Sequence, residues 1–205
     1  MSPLTAGLVL VVLAQAPAPV PVRKAPPPGL SWEEADFVAA TVARVERRLA
    51  AGRPASRQAI VVTERQLNSY VNLSLAARIP PGVSGLGFRF EKDRVGARAM
   101  LDLDRLKGQL PEGGAPSLLA FLGGTVPAEI RGRLPNEGGK GRIEVEQASV
   151  AGVSLPASVL AEVVAMATRS ERRPRGLDLL APFDLPWTAR RVRFEPGRAT
   201  FEFAP

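Results

Sequence analysis

The sequence predicts an α+β domain: an antiparallel sheet of about six strands, arranged as three hairpins, packed on a long N-terminal helix with two further helices. Three observations carry this expectation. Apolar residues in the N-terminal part recur at helical spacing behind Ser- and Thr-led start signals; beyond Gly82 the apolar period shortens to two; and paired alternating runs are joined by turn-forming residues. At 205 residues and 45% hydrophobic content, the chain has length for one domain of ordinary size and a leader. With only 5% aromatic residues, its core must be built mainly from Leu, Val and Ala.

The leader comes first. Ala6 to Ala14, "AGLVLVVLA", is an apolar run too short to cross roughly 30 Å of hydrocarbon as a helix, which takes about 20 residues. Ala14-Gln15-Ala16 fits a small-x-small cleavage site, so residues 1–16 read as a signal peptide and the protein as exported, periplasmic or extracellular. Residues 17–29, "PAPVPVRKAPPPG", read as an extended proline-rich linker, and residues 30–205 as a single domain.

Within that domain, "SWEE" at Ser31 to Glu34 has the form of a capping box. Ala35, Val38, Val42, Val45 and Leu49 then form one apolar stripe, expected to pack on a sheet, and Gly52 stops the helix. A second capping box, Thr63 and Gln66, opens a predicted helix of about four turns that ends at Pro80-Pro81, with Leu67, Tyr70, Val71 and Ser74 on one face. Asn68 falls nearly opposite Tyr70, where its amide is expected to tie the helix to a neighbouring strand or loop.

The first hairpin alternates Leu86, Phe88 and Phe90, turns at Lys92-Asp93, and continues with Val95, Ala97, Ala99, Leu101 and Leu103. "APSLLAFLGG" is a short apolar helix or a loop. The second hairpin sets Ile130 and Leu134 against Ile143 and Val145 across "PNEGGK". A helix from Pro156 to about Arg172 buries Val159, Leu160, Val163, Val164 and Ala167. The third hairpin places Val192, Phe194, Phe201 and Phe203 inward across Glu195-Pro196-Gly197.

Composition excludes several chemistries. There is no His and no Cys, which removes thiol nucleophiles, disulfides, Ser-His-Asp triads and nearly all zinc, haem and iron–sulfur ligation; no metal and no cofactor is expected. The net charge of +7 comes from dispersed arginines without interleaved aromatics, so no nucleic-acid stripe is visible, and a solvated surface is the plainer reading. "LPNEGGKGR" fails as a phosphate loop, since Leu134 stands where its first glycine belongs and Gly141 where Ser or Thr must follow Lys140. "LDLD" puts Asp102 and Asp104 on one strand face about 7 Å apart, a spacing more simply read as a solvated strand end beside Arg98 and Arg105 than as a catalytic pair. No enzyme is expected.

The segment "VVTERQLNSYV", strands of the "VGARAMLDLD" type, "VEQASVAGVSLPASVLAEVV" and the terminal pair after "LPWTARRVRFEPGRATFEF" together resemble bacterial envelope proteins of the LmeA and YpmS type, related to TULIP-like lipid-binding domains. The likeness covers about Ile60 to Phe203, as an order of elements more than a motif, with Glu64, Leu67, Asn68 and the Leu185-Pro186 step as matching positions. The proline linker and "RSERRPRG" fall outside the pattern. The resemblance implies a curved sheet wrapped around a long helix, with an apolar groove for a phospholipid or other acylated ligand, and contact with a membrane surface. Groove candidates are then Val95, Ala97, Ala99, Leu101, Leu103, Ile143, Val145, Val192, Phe194, Phe201 and Phe203, with Arg190, Arg191 and Arg193 for an anionic head group. The small side chains equally allow a dry core without a groove, in which case the protein is an envelope scaffold binding an unidentified protein partner through its arginine-rich sheet face.

Overall fold

The computed structural model describes residues 24–107, 123–167, 178 and 181–203. The expected signal peptide, most of the proline-rich linker, "APSLLAFLGG" up to residue 122 and the last turn of the helix predicted to reach Arg172 lie outside them. Helix α1 spans Trp32–Ala50, with Glu33 and Glu34 at the positive end of its dipole and Arg47 and Arg48 at the negative end. Ser31 sits at the N-cap, but its hydroxyl makes no cap bond, which corrects the box expected there. The cause is tertiary: the Ser31 N–H that Glu34 was to satisfy donates instead to Ser69 Oγ at 3.0 Å, and Glu34 is drawn towards Arg65 at 3.9 Å.

Strand β1, Ile60–Thr63, passes into helix α2, Glu64–Ser69, through a complete capping box. Gln66 N–H donates to Thr63 Oγ1 (3.2 Å), and Thr63 N–H donates to Gln66 Oε1 (2.9 Å). The uniform helix of four turns expected to Pro80 does not form. It widens into a π-turn at Tyr70–Ser74 and then tightens into a 3₁₀ turn at Ala76–Arg78. Leu67, Tyr70, Val71 and Leu75 are all buried, and the stripe of α1 packs chiefly against α2 and the π-turn, with sheet residues completing the core beneath.

The described strands are all antiparallel and divide among three sheets. The largest has the order β2-β3-β4-β7-β8, with β2 at Val83–Glu91, β3 at Arg94–Asp102, β4 at Thr125–Arg133, β7 at Glu144–Val150 and β8 at Val153–Ser154. Between β4 and β7 the "PNEGGK" turn is itself a miniature hairpin, β5 (Asn136–Glu137) and β6 (Lys140–Gly141). Its two turn residues, Gly138 and Gly139, both take positive φ (59° and 86°), as a type I′ turn requires. Strand β9, Phe183–Asp184, joins β6 to complete a small sheet. The third hairpin, β10 (Arg191–Glu195) and β11 (Arg198–Glu202), takes β1 on its far side to give the order β1-β11-β10.

Two further short helices are described. Strand β3 ends at Asp102, whose Oδ1 accepts from Arg105 N–H at 3.0 Å and caps helix α3, Leu103–Lys107. Strand alternation through Leu103 and Asp104 is therefore corrected: Leu103 is buried at the start of α3. Helix α4, Ala157–Ala167, buries Leu160 and Val164 against Ala148, Val150 and Leu155 as a second core; the side chains at 163 and 167 lie outside the described set. In the first core Phe90 meets Phe194 at 5.4 Å between centroids and Trp187 meets Phe201 at 5.1 Å.

Candidate functional site

Pairing register fixes which residues share a face of the five-stranded sheet. Ala97 lies opposite Ile130 and, beyond it, Ala148; Ala99 opposite Ala128 and then Val150; Leu101 opposite Val126. Directly paired residues project to the same side, so these form one apolar face, and the row from Val95 through Gly132 to Val145 continues it. At one margin Ala148 and Val150 are buried with α4; at the other, Phe88 and Phe90 are buried in the first core. Between the margins Val95, Ala97, Ala99, Leu101, Val126, Ala128 and Ile130 are only partly buried. The result is an apolar strip surfaced largely by small side chains.

The groove candidates divide accordingly. Val95, Ala97, Ala99 and Leu101 lie together on the strip, and Ile143 and Val145 are partly buried at its β7 side. Val192, Phe194 and Phe201 are packed inside the first core, with Phe203 partly buried against it. Leu103 is buried in α3, so these residues do not share one surface. Arg190, Arg191 and Arg193 are exposed at β10, in a different sheet from the strip, and Arg193 is bonded to Glu202. The carboxylates of "LDLD" are engaged locally: Asp102 caps α3 and Asp104 Oδ2 accepts from Gly124 N–H at 2.9 Å. Among the described residues no group of three or more Asp or Glu is placed to hold a metal ion.

On the polar face opposite the strip three arginines are held in ion pairs, while Arg89 and Arg98 have no carboxylate partner among the described residues. Glu146 takes Arg94 at 2.8 Å and Arg133 at 2.7 Å, and Arg131 reaches Glu91 at 2.8 Å over Gly96, which has no side chain to obstruct it. The hydrogen bond from Arg94, followed by the charges of both arginines, holds the Glu146 carboxyl below the usual carboxylate range. In the first core, burial pushes the Tyr70 phenol up to about 12 against the opposing pull of Arg78.

Asn68 joins α2 to the free edge of β2. Its Oδ1 accepts from Phe88 N–H at 2.6 Å and its Nδ2 donates to Phe88 C=O at 3.0 Å. Sequence reasoning missed its companions: Glu64 Oε1 accepts from Phe90 N–H at 2.5 Å, and Asn72 Nδ2 donates to Leu86 C=O at 2.6 Å. Four helical residues rise about 6 Å and two antiparallel strand residues about 6.8 Å, so positions 64, 68 and 72 meet 90, 88 and 86 in turn. A strict α-helix would carry each fourth residue about 40° past the last. The wider π-turn from Tyr70 counters that drift and brings Asn72 back to the strand. Glu64 and Asn68, with Asn72, thus hold the backbone of β2.

The Leu185-Pro186 step is followed by a backbone geometry at Trp187-Thr188 that the sequence does not signal. Trp187 and Thr188 both take left-handed φ (58° and 61°), and the buried Trp187 Nε1 has no hydrogen-bond partner among the described residues. Neither a known protein family, nor a curated protein, nor a solved structure matches the chain.

Proposed function

We propose that this is an exported, non-enzymatic domain of the bacterial cell envelope that binds or carries a phospholipid or another acylated molecule, with the strip across β3 and β4 as its acyl contact. The supporting observation is the partly buried apolar strip between two buried margins. Alanines at 97, 99 and 128 keep it low where larger residues would fill it. Each ligand methylene buried there contributes about 0.8 kcal/mol, so a contact of about ten methylenes gives on the order of 8 kcal/mol before ordering costs. The scaffold alternative relies on the arginine-rich sheet face, where Arg94, Arg131 and Arg133 are already paired with Glu146 and Glu91. Of that face's arginines, Arg89 and Arg98 keep their charge unpaired among the described residues, which leaves the scaffold reading two cations to work with.

The test is native mass spectrometry with lipid extraction on the full chain, purified from a bacterial host without detergent. Acyl lipid that co-purifies with the wild type, and is lost on Leu101→Arg and on Ala99→Trp with circular dichroism unchanged, supports the reading. A clean apo mass for the wild type, or lipid retained by both variants, refutes it.

A further inference from the structure

Two sheet edges are closed by side chains, and a third is open. Along β2, Glu64, Asn68 and Asn72 occupy the edge. Along β10, Asn136 repeats the device of Asn68: Oδ1 accepts from Val192 N–H at 2.7 Å and Nδ2 donates to Val192 C=O at 2.9 Å. Strand β1 has no such cover. Glu64 N–H donates to Gly197 C=O at 2.9 Å, which sets the alternation of its ladder with β11: residues 60, 62 and 64 face β11, and 61 and 63 face away. On that outward side Thr63 N–H is taken by Gln66 Oε1, whereas the N–H and C=O of Val61 have no partner among the described residues.

This edge borders a groove of about 760 Å³ between α1 and residues 53–61. Phe37 and Val61 line it as large apolar residues that are 52% and 45% exposed. Arg44, Arg48, Arg53 and Arg57 line it too, with no acidic residue among the lining. Arg48 Nε is held by Pro54 C=O at 2.7 Å and Arg44 reaches Thr41 Oγ1 at 3.3 Å; among the described residues no carboxylate pairs with any of the four. Elsewhere among the described residues Arg94, Arg131, Arg133, Arg193 and Arg198 have carboxylate partners, whereas Arg89, Arg98, Arg190 and Arg191 have none; what sets the four groove arginines apart is that they line one cavity beside the edge of β1. Unanswered cations, unanswered backbone groups and exposed apolar surface therefore meet in one groove.

We propose that this groove docks an extended acidic peptide segment of a protein partner, which adds to β1 as a further strand, sets its carboxylates among the four arginines and lays an apolar side chain against Phe37. A lipid phosphate would answer the arginines but brings no N–H and C=O pair at the spacing of a strand for Val61, so the edge groups favour a peptide. The site lies on a different sheet from the apolar strip and does not depend on it.

Phage display of random dodecapeptides against the full chain tests this, followed by fluorescence anisotropy with the selected peptide. Val61→Pro removes an N–H that the ladder does not use, at an edge position that tolerates proline. Arg44→Glu with Arg57→Glu reverses half of the charge. The expected result is selection of Asp- or Glu-rich sequences whose affinity falls about tenfold or more with either variant. Should Val61→Pro fail to fold by circular dichroism, a selected peptide N-methylated at alternate residues removes the same bonds from the other side, with the same expected loss. The proposal is overturned by no enrichment, by enrichment without acidic residues, or by affinity indifferent to both Val61→Pro and N-methylation. Binding to phosphatidylglycerol vesicles that survives Val61→Pro and is lost with the arginine variant, with no peptide selected, likewise overturns it and assigns the patch to a lipid surface.

Discussion

Removing the Asn68 carboxamide tests the claim that one helix stands in for a missing strand. Asn68→Ala deletes two hydrogen bonds, at 2.6 and 3.0 Å, and leaves both backbone groups of the buried Phe88 unanswered. At a net value of about 0.5–1.5 kcal/mol per bond plus part of the desolvation cost, the loss is about 2–3 kcal/mol. A domain of this size loses about 2–4 °C of Tm per kcal/mol, so Tm falls by about 5–10 °C. Asn68→Asp gives a second signature. It keeps the acceptor for Phe88 N–H but turns an oxygen onto Phe88 C=O, and protonation at low pH restores a donor, so this variant recovers relative to wild type as pH falls. Urea denaturation should show a lower midpoint at unchanged m, and hydrogen exchange should be faster at the amides of Phe88 and Phe90. If Asn68→Ala lies within about 0.5 kcal/mol of wild type and the Phe88 amide exchanges no faster, the helix is not substituting for a strand and the edge is held by packing alone.

Three further changes test separate parts of the argument. A Cβ on Gly132 would stand 2.4 Å from the backbone oxygen of Glu144 at the β4–β7 bulge, so Gly132→Ala should cost about 1–3 kcal/mol by thermal melting; a loss near zero would mean the bulge relaxes freely. Thr188 is exposed and left-handed, so Thr188→Gly should gain about 0.5–1 kcal/mol once the added freedom of the unfolded glycine is deducted, and a loss would show that the φ value is not a source of strain. Glu146 has a folded pKa below its unfolded one, so its contribution is present above the ordinary carboxylate range and is lost as pH falls through the folded value. Accordingly, the gap in urea midpoint between wild type and Glu146→Gln should be open at neutral pH, close in acid and shrink in high salt; a gap indifferent to pH would remove the ion pairs as its cause.

The hairpins were readable because half-buried strands carry a period of two into the sequence, and their turns name themselves: Lys92-Asp93 has a left-handed Asp93, and Gly138-Gly139 supplies both positive φ values. The allotment of strands to sheets was not readable. Ile60 to Thr63, "IVVT", has no alternation to mark it, and it pairs with Arg198 to Phe201, far along the chain. Local pattern states which face is apolar but not which edge accepts a partner. The same limit hid the break in the second helix. Glu64, Asn68 and Asn72 recur at a spacing of four, not 3.6, and that departure is the trace of a helix bent to follow a strand.

The candidate sites differ in how far their causes are local. The apolar strip could be read in part, since Val95, Ala97, Ala99 and Leu101 alternate within one strand, whereas Phe194 and Phe201 obey the same alternation and face a filled core. The arginine groove could not be read at all, because Arg44 and Arg48 sit one helical turn apart while Arg53 and Arg57 reach them only through the loop's return. Its energetics are specific to the folded state. Four cations without carboxylate partners repel one another in the free protein, and that cost is relieved by whatever acid enters. Carboxamides close β2 and β10 by offering a donor and an acceptor at the spacing of a strand, so the fold has a means of blocking an edge and uses it twice. At β1 the corresponding groups of Val61 have no partner among the described residues and lie beside the unpaired charge. An edge strand in that setting can be answered in full only by a ligand that brings backbone donors, backbone acceptors and carboxylates together, which is the chemistry of an extended acidic peptide.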